Sequence, residues 1–174
     1  MITVTVKECN TISQNYYDSV VSALQFHQIS CSCGHSGCLS IHAYYYRWVK
    51  LPDGSSFRIK ITRVKCSECG RTHAILLSSI IPYVQISLAI HQVIISAYEN
   101  GSATDTACTE TGSIDEDNVK SIIRKYVRHW QQRLISERIP LFPFSVLVLS
   151  CFKSYSAQFM QIRRAANVLF DTTT

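Results

Sequence analysis

Cys31-Ser-Cys33-Gly34-His35-Ser-Gly37-Cys38 and Cys66-Ser-Glu-Cys69-Gly70-Arg-Thr-His73 are the two stretches on which the fold turns. Between them lie Tyr44-Tyr-Tyr-Arg-Trp-Val-Lys50, then Pro52-Asp53-Gly54, then Phe57-Arg-Ile-Lys-Ile-Thr-Arg-Val-Lys65. Phe57, Ile59 and Ile61 share one side of an alternating run, with Arg58, Lys60 and Thr62 on the other. Proline presets φ and glycine accepts a positive φ, so the two runs read as a hairpin turning at 52–54. Two thiol clusters held apart by a hairpin have the layout of a zinc ribbon. In such a unit a metal, rather than a large apolar core, fixes this half of the chain.

Zinc takes four ligands in a tetrahedron, and closely spaced cysteines let consecutive amides point at the thiolates. Cys66-x-x-Cys69-Gly70 fits that knuckle, with Gly70 supplying the tight turn. The first cluster is less regular, because one residue separates Cys31 from Cys33 and Cys38 follows farther on. The expected Zn²⁺ ligands are Cys31, Cys33, Cys66 and Cys69, with Cys38 as the alternate ligand and His35 and His42 behind it. His73 reads as a packing or supporting residue. Eight cysteines would suit a disulfide framework in a small secreted chain, but five of them fall in these two clusters. Cys9, Cys108 and Cys151 are scattered among apolar or small neighbours and read as core residues. No thioredoxin-like pattern surrounds Cys66 and Cys69, which argues against a redox pair.

The 174-residue chain has 47% hydrophobic and 17% charged residues, which excludes a disordered class. No apolar run reaches the roughly 18–20 residues that span a bilayer. Met1 to Glu8 lacks the basic-then-apolar order of a signal peptide, so a cytoplasmic protein without a membrane partner is expected. The net charge of +5 is concentrated. From Ile41 to His73 there are seven basic residues and two acidic ones, while the remainder balances to zero. Such a patch suits a polyanion, with Arg47, Arg58, Lys60, Arg63 and Lys65 as contacts, or else is a solvated ribbon face.

Four segments follow from the patterning. Residues 1–26 form an N-terminal extension, with a short strand from the alternation of Ile2, Val4 and Val6 and a helical turn or two over Asp18–Phe26. Residues 27–83 are the zinc ribbon. Residues 84–138 turn helical, with Leu88, Ile90, Val93, Ile94 and Ala97 at helical spacing and Gly101 as a stop. There Ser113-Ile-Asp-Glu116 reads as a capping box opening a long helix with the stripe Val119, Ile122, Tyr126, Trp130 and Leu134. With Ala103–Thr111 as a positioning helix, this is the layout of a helix-turn-helix. Asn118, Ser121, Arg124, Lys125 and Arg128 are its candidate DNA contacts. Asp115, Glu116 and Asp117 at its start suit the helix dipole better than phosphates, leaving a purely structural bundle as the other reading. Residues 139–174 are expected to be C-terminal helices. The fold class is α+β, a small zinc-ribbon hairpin domain followed by an all-α helix-turn-helix-like bundle.

Cys-x-Cys-Gly-His-x-Gly, His-x-Tyr-Tyr-x-Arg, Arg-Val-Lys-Cys-x-x-Cys-Gly-Arg-Thr-His-Ala and Ile-Ile-Pro-Tyr together resemble an uncharacterised bacterial zinc-ribbon and helix-turn-helix family. That family is similar to the N-terminal region of insertion-sequence transposases. The matching positions run from Cys31 to Tyr83, and the Cys66–Ala74 string is their specific part. The resemblance implies Cys33, Cys66 and Cys69 as ligands, and Arg47 and Arg63 on a nucleic-acid-facing hairpin. The chain stops where a transposase's catalytic domain would follow, so transposase activity is not implied.

The expected function is therefore a zinc-binding, DNA-binding protein, a mobile-element (transposase-like) accessory factor or a regulator without a catalytic domain. Its partners would be duplex DNA and, further, a second copy or a transposition or regulatory protein. The alternative is a protein–protein interaction module, since Tyr44–Tyr46 and Trp48 are aromatic enough for an interface. An enzyme is not expected: a Cys-rich zinc site is closed, and the carboxylates do not cluster for Mg²⁺.

Overall fold

The alternation on either side of Pro52-Asp53-Gly54 folds into two long antiparallel strands in a computed structural model that describes residues 1–6, 12–102, 114–140, 146–161 and the backbone of 166–169. The hairpin strands are β2 (Leu39–Lys50) and β3 (Ser56–Cys66), preceded by β1 (Ile2–Thr5) and α1 (Gln14–Ala23). They are followed by β4 (Thr72–Leu77), α2 (Leu88–Glu99) and α3 (Glu116–Tyr126). A π-helical turn (Val127–Gln131) carries α3 into α4 (Gln132–Ser136), and α5 (Leu147–Tyr155) and β5 (Ala166–Leu169) complete the described elements. The class is α+β.

At the hairpin tip, Asp53 Oδ1 accepts from the Ser55 amide at 2.9 Å and Gly54 sits at φ +80°, a conformation that glycine adopts without steric cost. Ile59 and Ile61 are fully buried and Arg58 and Lys60 exposed, following the alternation. Thr62 departs from it and is buried, because α1 lies over that end of the strand. Tyr17 explains the contact. Strands β3 and β4 pair only over Arg63–Lys65, and at the fork the Tyr17 hydroxyl accepts from the Thr62 amide and donates to the Ile75 carbonyl. Gln14 likewise exchanges two hydrogen bonds with the Lys60 backbone.

Five strands join in one sheet in the order β2-β3-β4-β1-β5, with β1 parallel to both neighbours. Residues 2–5 are thus part of the sheet that bears the hairpin. Ile2 and Val4 are fully buried as their alternation suggests, but so are Thr3 and Thr5, because a central strand is covered on both faces. Thr3 donates to Gln158 Oε1 at 3.1 Å, and Gln158 Nε2 in turn reaches the carbonyls of Leu77, Ser78 and Ile80. Ala166–Leu169, expected within C-terminal helices, is instead the strand beside β1. It completes a parallel pair with β1, and that tertiary pairing overrides a helical reading over four residues.

Two apolar cores flank Ile80–Ile81. One gathers β1, α1 and the hairpin around Tyr17, Ile59, Ile61, Ile75 and Leu77, so the hairpin half does not depend on a metal alone. The other gathers the helices around Ile90, Ile94, Val119, Tyr126, Trp130 and Phe159. α2 ends as its glycine indicates. The Ser102 amide reaches the Ala97 carbonyl and the Gly101 amide the Tyr98 carbonyl, the paired bonds of a Schellman motif. The N-cap of α3 is Asp115, whose Oδ1 accepts from the Asn118 amide at 2.8 Å, rather than Ser113. Ser113 and the expected positioning helix Ala103–Thr111 lie outside the described residues.

Candidate metal centre and nucleic-acid interface

The two cysteine clusters meet because the hairpin brings its ends together, pairing Leu39 with Cys66. On one side the Cys31 amide donates to the His35 carbonyl and the Gly34 amide to the Cys31 carbonyl, closing a knuckle around Cys33. On the other side the Gly70 amide donates to the Cys66 carbonyl and the Cys66 amide to the Arg71 carbonyl, with Gly70 at φ +68°. The sulfurs of Cys31, Cys33, Cys66 and Cys69 then lie within 4.8 Å of one another. Cys31 and Cys69 are separated by 3.7 Å and Cys33 and Cys66 by 3.8 Å. Four thiolates about 2.3 Å from a tetrahedral zinc stand about 3.8 Å apart, so the donor set fits that ion. The cluster is geometrically able to hold a metal ion.

Cys38 stays outside the four. Its sulfur is buried 3.3 Å behind that of Cys66 and donates to the His35 carbonyl at 3.2 Å. His73 supports the cluster from within. Its Nε2 lies 3.2 Å from the Cys31 sulfur and its Nδ1 2.9 Å from the Met1 amine. His35 Nδ1 stands 3.5 Å from the Cys33 sulfur.

The thiols do not ionise equally. The Cys69 amide, opposed by burial, draws Cys66 below the usual thiol range. Burial works against the Cys31 thiolate, but the Cys33 amide and the His73 ring outweigh it and lower that thiol too. Burial raises Cys38. At Cys69 the Arg71 amide favours the thiolate, but burial and the neighbouring sulfurs prevail and push the thiol up. Four sulfurs this close cannot all carry charge unaided, and a divalent cation removes that repulsion.

The cations expected to meet nucleic acid divide between surfaces. Arg58 and Lys60 project from one face of the hairpin beside Tyr44, Tyr46 and Trp48, all exposed. Arg47 was expected there too but turns away. Its half-buried guanidinium donates to the Ile81 and Val84 carbonyls and fixes the loop in which Tyr83 takes φ +64°. Arg63 is half-buried as well and donates to Thr72 Oγ1 at 2.7 Å, while Lys65 is exposed. Arg47 and Arg63 line a depression of about 580 Å³ that also touches Tyr45 and Leu76. On the helical core, Arg124 and Arg128 are exposed and Lys125 half-buried. Asn118 donates its side-chain amide to Asp115 Oδ2, so the first turn of α3 is occupied by its own cap.

Sequence reasoning did not foresee Gln14 and Tyr17 as the fasteners between α1 and β3. Nothing local marks them, because their partners are backbone groups more than forty residues away. Among the described residues no helix is long and apolar enough to cross a membrane. No curated protein and no solved structure matches the chain. A family model described as a domain of unknown function (DUF6431) matches residues 30–126, more than half of the chain.

Proposed function

The chain belongs to the DUF6431 family, and we propose that it is a zinc-stapled DNA-binding protein. In this reading Zn²⁺ is held by Cys31, Cys33, Cys66 and Cys69, so that the hairpin is a zinc ribbon. Bound there, the ion would clamp the two knuckles and relieve the repulsion among thiolates. The arms of the hairpin present cations to the DNA backbone, and the helical half is helix-turn-helix-like, with α3 and the turn after it as recognition helix and Arg124, Lys125 and Arg128 adding contacts. The role is that of a mobile-element accessory factor or regulator, a binder rather than an enzyme, in keeping with the resemblance to transposase N-terminal regions.

One observation carries the reading: the four sulfurs converge at the root of a hairpin whose Arg58 and Lys60 have no carboxylate partner among the described residues. Cations displayed on a rigid two-stranded support suit phosphate oxygens. Zinc content and duplex affinity test it together. The expected result is one zinc ion per chain and an affinity that falls steeply between about 50 and 200 mM salt. An affinity insensitive to salt would overturn the DNA reading, and a folded protein purified free of zinc would overturn the metal.

The exposed Ile41, Tyr44, Tyr46 and Trp48 favour a second reading, a protein-binding module. A complex that forms equally well at high salt favours it, and a monomer in solution with measurable DNA affinity counts against it.

A further inference from the structure

A strand that packs one face normally gives solvent its polar residues, yet the outward face of β2 carries Tyr44, Tyr46 and Trp48 at 52%, 56% and 50% exposure. These alternate residues are about 6.8 Å apart along the strand, twice the roughly 3.4 Å stacking repeat of bases. Across the hairpin, Tyr46 is paired with Lys60 and Trp48 with Arg58. The cations reach diagonally over the rings. Lys60 Nζ lies 4.2 Å from the Tyr44 centroid, and Arg58 Cζ lies 4.5 Å from that of Tyr46. Rings and cations therefore alternate in one ladder, each holding its neighbour in place. Beside the ladder α1 rises as a wall, leaving a trough of about 710 Å³ floored by Tyr44, Tyr46, Arg58 and Lys60. Asp18 stands on that wall with its Oδ1 bound by Gln14 Nε2 at 2.8 Å.

We propose that this ladder is a site for an unpaired stretch of DNA, in which bases stack on Tyr44, Tyr46 and Trp48 and phosphates meet Arg58 and Lys60. In a duplex the base faces are already stacked on one another, so it offers aromatic rings nothing that these residues supply. Only unstacked bases use both halves of the ladder. The inference rests on the DNA-binding reading above and narrows it to one surface and one form of the ligand.

Tryptophan emission provides the test. Trp48 is half-exposed and Trp130, the other tryptophan, is buried at 2%, so quenching by a stacked base reports Trp48. The zinc-loaded full chain is titrated with a thymidine oligonucleotide, with a duplex of mixed sequence, and with a uridine oligonucleotide. Quenching by the thymidine strand is expected. Tyr44→Ala and Tyr46→Ala should each weaken that binding about tenfold, within the range for one base–ring stack. Replacing Arg58 and Lys60 by Gln should reduce the salt slope by about 1.4. Trp48→Phe should bind without the quench, and unchanged zinc content and circular dichroism verify that each variant is folded. Duplex binding that persists while the thymidine strand neither quenches nor responds to the tyrosines would overturn the single-strand site and leave the DNA reading standing. Absence of binding to every oligonucleotide would overturn both. Much tighter binding of the uridine strand, or a solution dimer dispersed by Tyr46→Ala, would give the face to RNA or to a second copy and overturn the proposal.

Discussion

Cys31 and Cys38 show how little separates a ligand from a bystander. Both are buried cysteines of the first cluster, yet one sulfur joins the other three and the other sits behind Cys66. Cys31→Ser should lower zinc affinity by about a hundredfold or more, a loss at least as large as that of removing an outer-sphere partner. Cys38→Ser should keep the metal, and competition with a chromogenic chelator measures both. The choice was not legible in the sequence, because spacing describes a knuckle but not which sulfur the hairpin returns to it. Cys66-x-x-Cys69-Gly70 was legible because its turn is local. His91 offers a test away from the cysteine cluster. It is buried at the start of α2 with Nδ1 donating to the Ser87 carbonyl at 2.9 Å, and burial lowers its pKa from 6.5 to about 4. The folded state therefore resists a proton that the unfolded chain accepts. Its contribution is complete above pH 6.5 and is lost as pH falls toward 4, reaching about 3 kcal/mol. Urea unfolding of the wild type and of His91→Gln at pH 7.5 and 5 checks this, since any loss of a metal ion at low pH is common to both.

At the level of elements, the hairpin followed its alternation, while its attachment to the sheet did not. Strand β3 leaves β4 after three residue pairs, and a single phenol fills the gap. Tyr17→Phe strands the Thr62 amide and the Ile75 carbonyl in a buried site, so a loss of about 2–4 kcal/mol is expected in denaturant unfolding. The long helix was similarly half-legible. Its stripe advances by four residues from Ile122 to Tyr126, Trp130 and Leu134, and in a pure α-helix each such step drifts about 40° around the axis. The wider π turn at Val127–Gln131 absorbs that drift and keeps Trp130 and Leu134 in the core with Tyr126. Here the stripe reveals the burial while the backbone solution stays hidden, since no residue type encodes a π turn.

Across the whole molecule, two apolar cores share one chain, and the cysteine cluster belongs to only one of them. On the proposed zinc reading, removing the ion with a chelator should therefore loosen the hairpin without melting the helices. An ion supplied at a hundred times its dissociation constant stabilises by about 2.7 kcal/mol. Chelation is thus expected to lower the melting temperature of the hairpin half by about 10–20 °C, with the helical circular dichroism at room temperature retained. Complete loss of helix on chelation would instead show one cooperative unit. The α+β class was legible because period two and period four occupy separate stretches. The mixed sheet was not, because it joins segments from opposite ends of the chain.

Strand β1 lies between β4 and β5, and Ile2 is hydrogen-bonded alongside Ala166. About 160 residues of synthesis separate the two strands, roughly ten to thirty seconds of translation. By the end of that interval the hairpin and the described helices have been made, while one flank of β1 still has no neighbour. The nascent chain carries an unprotected strand edge until β5 emerges to cover it.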